Sequence, residues 1–411
     1  MKSWVRFQLS LMMFLEFFIW GGWFVTLGSF LGHNLKATGG ESAMAFSTQS
    51  WGAIIAPFII GLIADRYFNA EKILGLLHCI GAVLLYQMAQ ATQFDVFYPY
   101  VFGYMVLYMP TLALVNSVSF RQMTDPGTQF PLVRVFGTLG WIAAGGVISL
   151  VFKWDAIENI AQGALSNTFK MVALASALMG LFSFTLPKTP PRMDRKAKVS
   201  VSEILGLDAF RLLRDRNFLT FFLSSILICI PLAFYYQNIS LFLTEYKVEN
   251  STLWAAMGQV SEVLFMLLLP IFFKRFGFKK TILLGMLAWA FRYLLFAFGD
   301  ADGRFFMFVL GIALHGICYD FFFVSGQIYT DSKAGPKTQS AAQGLITLAT
   351  YGLGMLIGFW VAGKITDTYL VTENVHEWGS IWLYPASFAL VVFFLFLFFF
   401  KKERIAYKTS S

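Results

Sequence analysis

Apolar residues run through this chain in long unbroken blocks, and short polar clusters separate one block from the next. Blocks of this length suit α-helices that cross a bilayer, which need about 20 predominantly apolar residues. Strands of a membrane β-barrel would alternate in polarity, so the pattern excludes that architecture. Read block by block, the sequence predicts helices over 5–31, 43–66, 71–92, 95–120, 129–152, 167–187, 217–243, 251–273, 279–299, 304–329, 339–364 and 378–400. The expected fold class is therefore an all-α membrane protein with twelve transmembrane helices. The longest polar segment, Lys188 to Arg216, separates the sixth helix from the seventh. It divides the chain into a six-helix unit (1–187), a basic linker (188–216), a second six-helix unit (217–400) and a tail (401–411). Within the linker, Val201 to Leu213 has the pattern of a short amphipathic helix on the membrane surface.

Composition agrees with this reading. Of the 411 residues, 57% are hydrophobic and only 13% charged, against about 25% charged in a soluble globular protein. A net charge of +8 raises nucleic acid and membrane surfaces as partners, and its distribution decides for the bilayer. Eight Lys and Arg lie between Lys188 and Arg216, with further clusters at Lys274, Arg275, Lys279 and Lys280 and at Lys401, Lys402, Arg404 and Lys408. The loops on the other side hold Lys36, Lys153, Lys247, Arg304 and Lys364. The positive-inside rule then places both termini in the cytoplasm. The apolar run after Lys2 and Arg6 is too long for a signal h-region and reads as a retained first helix. Cys79, Cys229 and Cys318 fall inside helices, so they imply packing rather than a disulfide framework. No zinc-type spacing is present. Gly363-Lys364 lacks the flanking residues of a P-loop. Neither a metal, a bound cofactor nor ATP is expected, and an ion gradient is left as the energy source.

Several helices carry residues that are costly in a membrane. Gln259 and Glu262 lie three apart near the middle of the eighth helix, on one face. A charge at the bilayer centre costs roughly 2.5–3.5 kcal/mol on insertion scales, so Glu262 should face a cavity or a polar partner. Glu16, Trp20 and Trp23 share a face of the first helix, and Arg134, Thr138 and Trp141 share a face of the fifth. The fourth adds Tyr108, Pro110, Asn116 and Ser117, the ninth Arg292, and the tenth His315, Tyr319 and Asp320. Simpler readings stand beside the functional one. Arg134 could snorkel to the surface, Asp320 and Arg292 could form an intramembrane ion pair, and the tryptophans could be packing. Together they suggest a lining in which aromatic faces stack on a sugar or base while carboxylate, amide and guanidinium groups bond its polar edge.

The corner between the second and third helices reads Gly61-Leu-Ile-Ala-Asp65-Arg66-Tyr-Phe68 and ends on Glu71-Lys72. Lys274-Arg275 and Lys279-Lys280 make a charged corner at the equivalent place in the second half. The first corner resembles the loop motif of the major facilitator superfamily, with Phe68 where a second glycine usually stands. The resemblance implies two pseudo-symmetric six-helix bundles with substrate held near the midplane between them. It also implies that Asp65 and Arg66 help to hold the cytoplasmic side closed, a gating role.

A narrower resemblance covers nearly the whole chain. Pro131-Leu-Val-Arg134-Val-Phe-Gly-Thr138-Leu-Gly-Trp141, Gly258-Gln259-Val-Ser-Glu262 and Tyr319-Asp320-Phe-Phe are similar to bacterial nucleoside:proton symporters of that superfamily. So are Trp20-Gly-Gly-Trp23, Tyr108-Met-Pro110 and Leu205-Gly-Leu-Asp-Ala-Phe210. By that resemblance Arg134, Thr138, Gln259 and Glu262 are nucleoside ligands. Trp141 and Tyr319 keep aromatic character where the family's best-known member has phenylalanine, and His315 replaces a tyrosine. In the seventh helix Ala233 and Tyr236 stand in place of an amide pair. Glu262 and Asp320 are the candidates for proton coupling. The implied protein is a monomeric secondary transporter of the bacterial inner membrane, not an enzyme, importing nucleosides with protons. Two other readings remain open here. Aromatic platforms with carboxylates also suit a sugar or glycoside:proton symporter. More remotely, His315 to Asp320 matches the H-x-x-x-x-D pattern of acyltransferases.

Overall fold

The computed structural model describes residues 2–59, 68–124, 126–190, 207–334, 339–372 and 375–403. Among these residues, nine helical stretches are long and apolar enough to cross a membrane. We number the helices in chain order: α1 (Ser3–Asn34), α2 (Gly39–Ile59), α3 (Ala70–Gln90), α4 (Phe94–Arg121), α5 (126–151) and α6 (Ser166–Ser183). After the linker come α7 (Arg216–Glu245), α8 (251–276), α9 (278–298), α10 (Phe305–Lys333), α11 (339–368) and α12 (Trp378–Phe399). The nine stretches count α8 and α9 as one. Gly277 breaks that run with φ 74° and ψ 171°, a left-handed conformation that glycine adopts without a Cβ penalty. The sequence had marked this corner only by its charge.

Helix α2, described as far as Ile59, satisfies two of its hydroxyls locally. Ser47 donates to the Met44 carbonyl at 2.8 Å and Thr48 to the Ala45 carbonyl at 2.6 Å. Helix α1 packs on α5 and α6, α3 on α4 and α6, and α2 on α4. Small residues bring these helices close: a Cβ on Gly140 would lie 2.2 Å from the Phe14 carbonyl oxygen. In the second half α7 packs on α11 and α12, α9 on α12, and α8 on α10. Leu76, Ile80 and Val83 leave an apolar stripe of α3 uncovered, and Leu174, Leu178 and Leu181 do the same on α6. Such stripes suit lipid.

Helices α1–α6 meet α7–α12 along the face that carries the loops near residues 36, 153, 248 and 369. Three contacts close this face. Ser29 on α1 lies 2.6 Å from the Ser240 hydroxyl and 2.8 Å from that of Thr244, both on α7. Asp367 on α11 accepts from the Gly39 and Gly40 amides that begin α2, at 2.5 and 2.9 Å. Asp155, just after α5, accepts from the Thr252 amide that begins α8, at 2.9 Å, and from Ser149 at 2.6 Å. The last two contacts are equivalents: in each half, an aspartate after or near the end of one helix caps a helix start in the other half. A carboxylate at a helix N-terminus meets unpaired N–H groups and the positive end of the dipole. Among the described residues, every hydrogen bond between the two sets of helices lies at this face.

One departure from the all-helical expectation stands between α11 and α12. Leu370–Thr372 (β1) pairs antiparallel with Val375–His376 (β2). Glu245 at the end of α7 holds this ribbon, accepting from the His376 amide at 3.0 Å and from the Trp378 indole at 2.7 Å, with His376 Nδ1 at 2.8 Å. On the opposite face Lys333 binds Asp215 at 3.1 Å and Glu403 at 2.5 Å. The amphipathic segment expected at 201–213 is described only in part, as a short 3₁₀ helix at Leu207–Arg214. Asp65 and Arg66 of the expected gating corner lie outside the described residues.

Candidate functional site

Helix α8 presents Gln259 and Glu262 one turn apart, both partly exposed. Its position against α10 is fixed at the backbone. The Gly316 amide donates to Ser261 Oγ at 2.9 Å, and a Cβ on Gly316 would lie 2.4 Å from the Ser261 carbonyl oxygen. Gly258 gives the same closeness to the His315 ring. Glu262 therefore reaches toward α10, with its Oε2 3.9 Å from His315 Nε2. Across the two halves α8 packs against α5, the bearer of Arg134, Thr138 and Trp141: a Cβ on Gly145 of α5 would lie 3.0 Å from the Ala256 Cβ of α8.

From α5 come Arg134, Thr138 and Trp141, all partly exposed. Arg134 lies over the Phe17 ring, with Cζ 4.0 Å from the centroid. Gly137 makes room for it, since a Cβ there would lie 2.6 Å from Arg134 Nη1. Thus Arg134 is directed against α1 by a cation–π contact. Trp141 meets Trp20 edge to face at 5.6 Å, and Trp20 meets Tyr108 at 5.8 Å. Tyr236 on α7 closes this aromatic wall across the two halves, touching Phe24 of α1 at 5.9 Å. Trp23, read from sequence as part of the lining, is instead fully buried among Phe24, Tyr104 and Phe169. It is a packing residue. Gln237 and Asn238 turn away from the site: with its amide oriented to satisfy both groups, Gln237 donates to the Phe359 carbonyl at 3.0 Å and accepts from the Gly363 amide at 3.3 Å, and Asn238 donates to Thr366 at 3.2 Å.

Helix α10 carries His315, Tyr319 and Asp320. Tyr319 shares a 2.6 Å hydrogen bond with Tyr351 of α11, a residue that sequence reasoning passed over. Tyr351 lies in a π-helical turn at Leu348–Gly354, and Asp320 begins another at Asp320–Val324. Such turns rotate side chains out of helical register and often occur at functional sites, so simple periodicity could not place these two. Asp320 is fully buried and neither oxygen has a hydrogen-bond partner among the described residues. The alternative ion pair between Asp320 and Arg292 is not formed. Arg292 is also fully buried, but it turns to His315 Nδ1 at 3.0 Å and lies over the Tyr235 ring at 3.6 Å. His315 and Asp320 make no hydrogen bond to each other among the described residues, so the acyltransferase pattern has no geometric counterpart.

Glu16, on the first half's equivalent face, has a structural partner set. Its carboxylate bonds His78 Nε2 at 2.9 Å and accepts from Thr111 at 2.5 Å, while His78 Nδ1 lies 3.2 Å from Ser176 Oγ. Tyr108 donates to the Glu16 carbonyl at 2.8 Å. This buried network joins α1, α3, α4 and α6 directly behind Trp20. His78 was missed because a lone histidine in an apolar helix gives no sign of its partner. The aggregate is a polar centre between α5, α7, α8, α10 and α11, with an aromatic wall on one side. It offers a guanidinium, an amide, the Glu262 carboxyl group and several tyrosine hydroxyls to a small polar aromatic ligand, while Asp320 stays enclosed. Among the described residues no group of His, Cys, Asp and Glu could hold a metal ion.

Comparison with known proteins agrees with this chemistry. The family model described as nucleoside H+ symporter matches residues 3–404. The chain is 41% identical to YegT of Escherichia coli (strain K12), covering 96% of this chain and 94% of that protein. It is 34% identical to the xanthosine permease of the same organism, covering 97% and 96%. The crystal structure of the nucleoside transporter NupG superposes with a TM-score of 0.86 at 30% identity, over 97% of this chain and 100% of that one.

Proposed function

This chain belongs to the nucleoside H+ symporter family, and on that premise we propose that it imports nucleosides together with protons by alternating access around Glu262. It is a multi-pass membrane transporter of the major facilitator fold rather than an enzyme. The observation that carries the proposal is the place of Glu262, partly exposed on α8, 3.9 Å from His315 of α10 in its own half and on a helix that packs against α5, which bears Arg134, in the other. A ligand held there touches both halves, so its binding is sensitive to how they are arranged.

In this reading Arg134, Thr138, Gln259 and Glu262 bond the nucleoside, and Trp141, Tyr236 and Tyr319 pack on its rings. Glu262 takes the ribose hydroxyls. Asp320 is suited to carry the proton. It is fully buried, with no donor among the described residues to stabilise an anion, and water admitted by a change of conformation would supply the missing hydration. Twelve spans, both termini in the cytoplasm and halves at 1–187 and 217–400 complete the proposal, with the basic 188–216 segment as the linker between them. The closed face is then the outer one, and the molecule opens inward. Asp65 and Arg66 would close the inner side in the opposite state. A bacterial inner membrane and a monomeric assembly fit this arrangement, in which each chain encloses its own site. The proton gradient supplies the energy without a bound cofactor.

A competition panel tests the substrate class. Uptake of labelled uridine should be blocked by excess unlabelled nucleosides and left unchanged by free hexoses and glycosides. Block by glycosides alone would transfer the site to sugar:proton symport.

A further inference from the structure

Arg292 is the largest charged side chain wholly enclosed in the protein, and no carboxylate pairs with it among the described residues. Its surroundings explain what it does there. The guanidinium lies over the Tyr235 ring, 3.6 Å from the centroid, and Nη1 stands 3.0 Å from His315 Nδ1. The His315 ring stacks on the same Tyr235, at 5.6 Å and 25°. Its other nitrogen, Nε2, points toward Glu262 Oε2 at 3.9 Å. The imidazole is thus clamped between a guanidinium behind it and the substrate-facing carboxylate ahead.

Hydrogen-bond chemistry then fixes the proton. Arginine only donates, so the Nδ1 it meets must offer a lone pair. An imidazolium donates from both nitrogens and the Nδ1–H tautomer donates from that one, so neither can accept this bond. The form that fits is the neutral ring with its proton on Nε2. We propose that Arg292 is a positioning residue that holds His315 as the neutral Nε2–H tautomer, so that the ring, itself buried, turns a hydrogen-bond donor toward Glu262 and toward a substrate bound there. The substrate edge then meets a donor and an acceptor side by side. A vicinal diol matches that pair: one hydroxyl donates to Glu262 while its neighbour accepts from His315. This consequence rests on the nucleoside reading above, whereas the tautomer itself does not.

Two measurements separate the two levels. The chain has four histidines, so magic-angle-spinning NMR of [15N]histidine-labelled protein in lipid resolves few signals, and the His315→Gln spectrum assigns the one that matters. In the wild type, without substrate, His315 should show a bare Nδ1 and a protonated Nε2. Arg292→Lys, which keeps a donor, should retain that signature, and Arg292→Met should lose it. A wild-type ring protonated at Nδ1 overturns the proposal whether or not the variants fold, and so does an unchanged tautomer in Arg292→Met. The second measurement compares KM for uridine, 2′-deoxyuridine and 3′-deoxyuridine. The wild type should favour uridine by about tenfold, the scale of one buried hydrogen bond. Arg292→Met should narrow that ratio with little change in kcat, and Arg292→Lys should restore it. An unaltered ratio in Arg292→Met denies Arg292 a part in recognition. Failure of wild-type protein to transport any nucleoside would remove the nucleoside reading and leave the tautomer result standing.

Discussion

Glu262 on α8 and Asp320 on α10 are acids on packed helices, and their surroundings give them different work. Glu262 is partly exposed and faces His315. Asp320 is enclosed and has no hydrogen-bond partner among the described residues. The account predicts that Asp320→Asn abolishes accumulation against a gradient yet still exchanges labelled for unlabelled nucleoside across the membrane. Glu262→Gln should lose accumulation and also weaken binding, which a comparison of exchange rates and KM for the two variants would read. Concentrative uptake at wild-type level by either variant would remove its role. At this scale the sequence is informative about which residues matter and poor about their pairing. A charged residue inside an apolar run is visible without a structure because its cost is local. The partner that offsets this cost is a matter of tertiary packing. Glu16 therefore read only as one more polar residue of the lining, until its bond to His78 of α3 assigned it to the framework. Arg292 and Asp320 looked like a pair, and the guanidinium instead bonds His315.

At the scale of elements, the two carboxylate caps hold the face shared by α1, α2, α5, α7, α8 and α11. Asp155 on the start of α8 and Asp367 on the start of α2 each join one half of the molecule to the other. A helix N-cap contributes about 0.5–2 kcal/mol. Losing both should favour opening of this face by roughly tenfold or more, if the two effects add. Ser240, which is buried against Ser29, provides the reporter. With the three native cysteines replaced, Ser240→Cys should react with a membrane-impermeant maleimide faster when Asp155→Ala and Asp367→Ala are both present. An unchanged labelling rate in folded protein would show that the caps do not hold the face shut. The helices themselves were readable as apolar blocks, since the bilayer imposes their length. The π-helical turns at Asp320–Val324 and Leu348–Gly354 were not, because they leave the apolar pattern intact while rotating the side chains beyond it. The β1–β2 ribbon was also hidden, as its anchor Glu245 lies 131 residues from His376 in the chain.

For the whole molecule, the arrangement is two sets of helices joined by hydrogen bonds at one face, with the candidate site between them. A transporter needs a second arrangement in which that face parts and the other closes, and a ligand whose binding depends on which is present. The polar groups around Glu262 come from both sets, which supplies this dependence. Coupling to protons adds one requirement: an acid whose hydration changes between the two arrangements, the part assigned to Asp320. The direct test of the whole account is uptake of labelled uridine into proteoliposomes, measured with and without an inward proton gradient. The account predicts accumulation above the external concentration only when the gradient is present, with collapse to equilibrium on adding a protonophore. Equal uptake with and without the gradient, from folded protein, would contradict it.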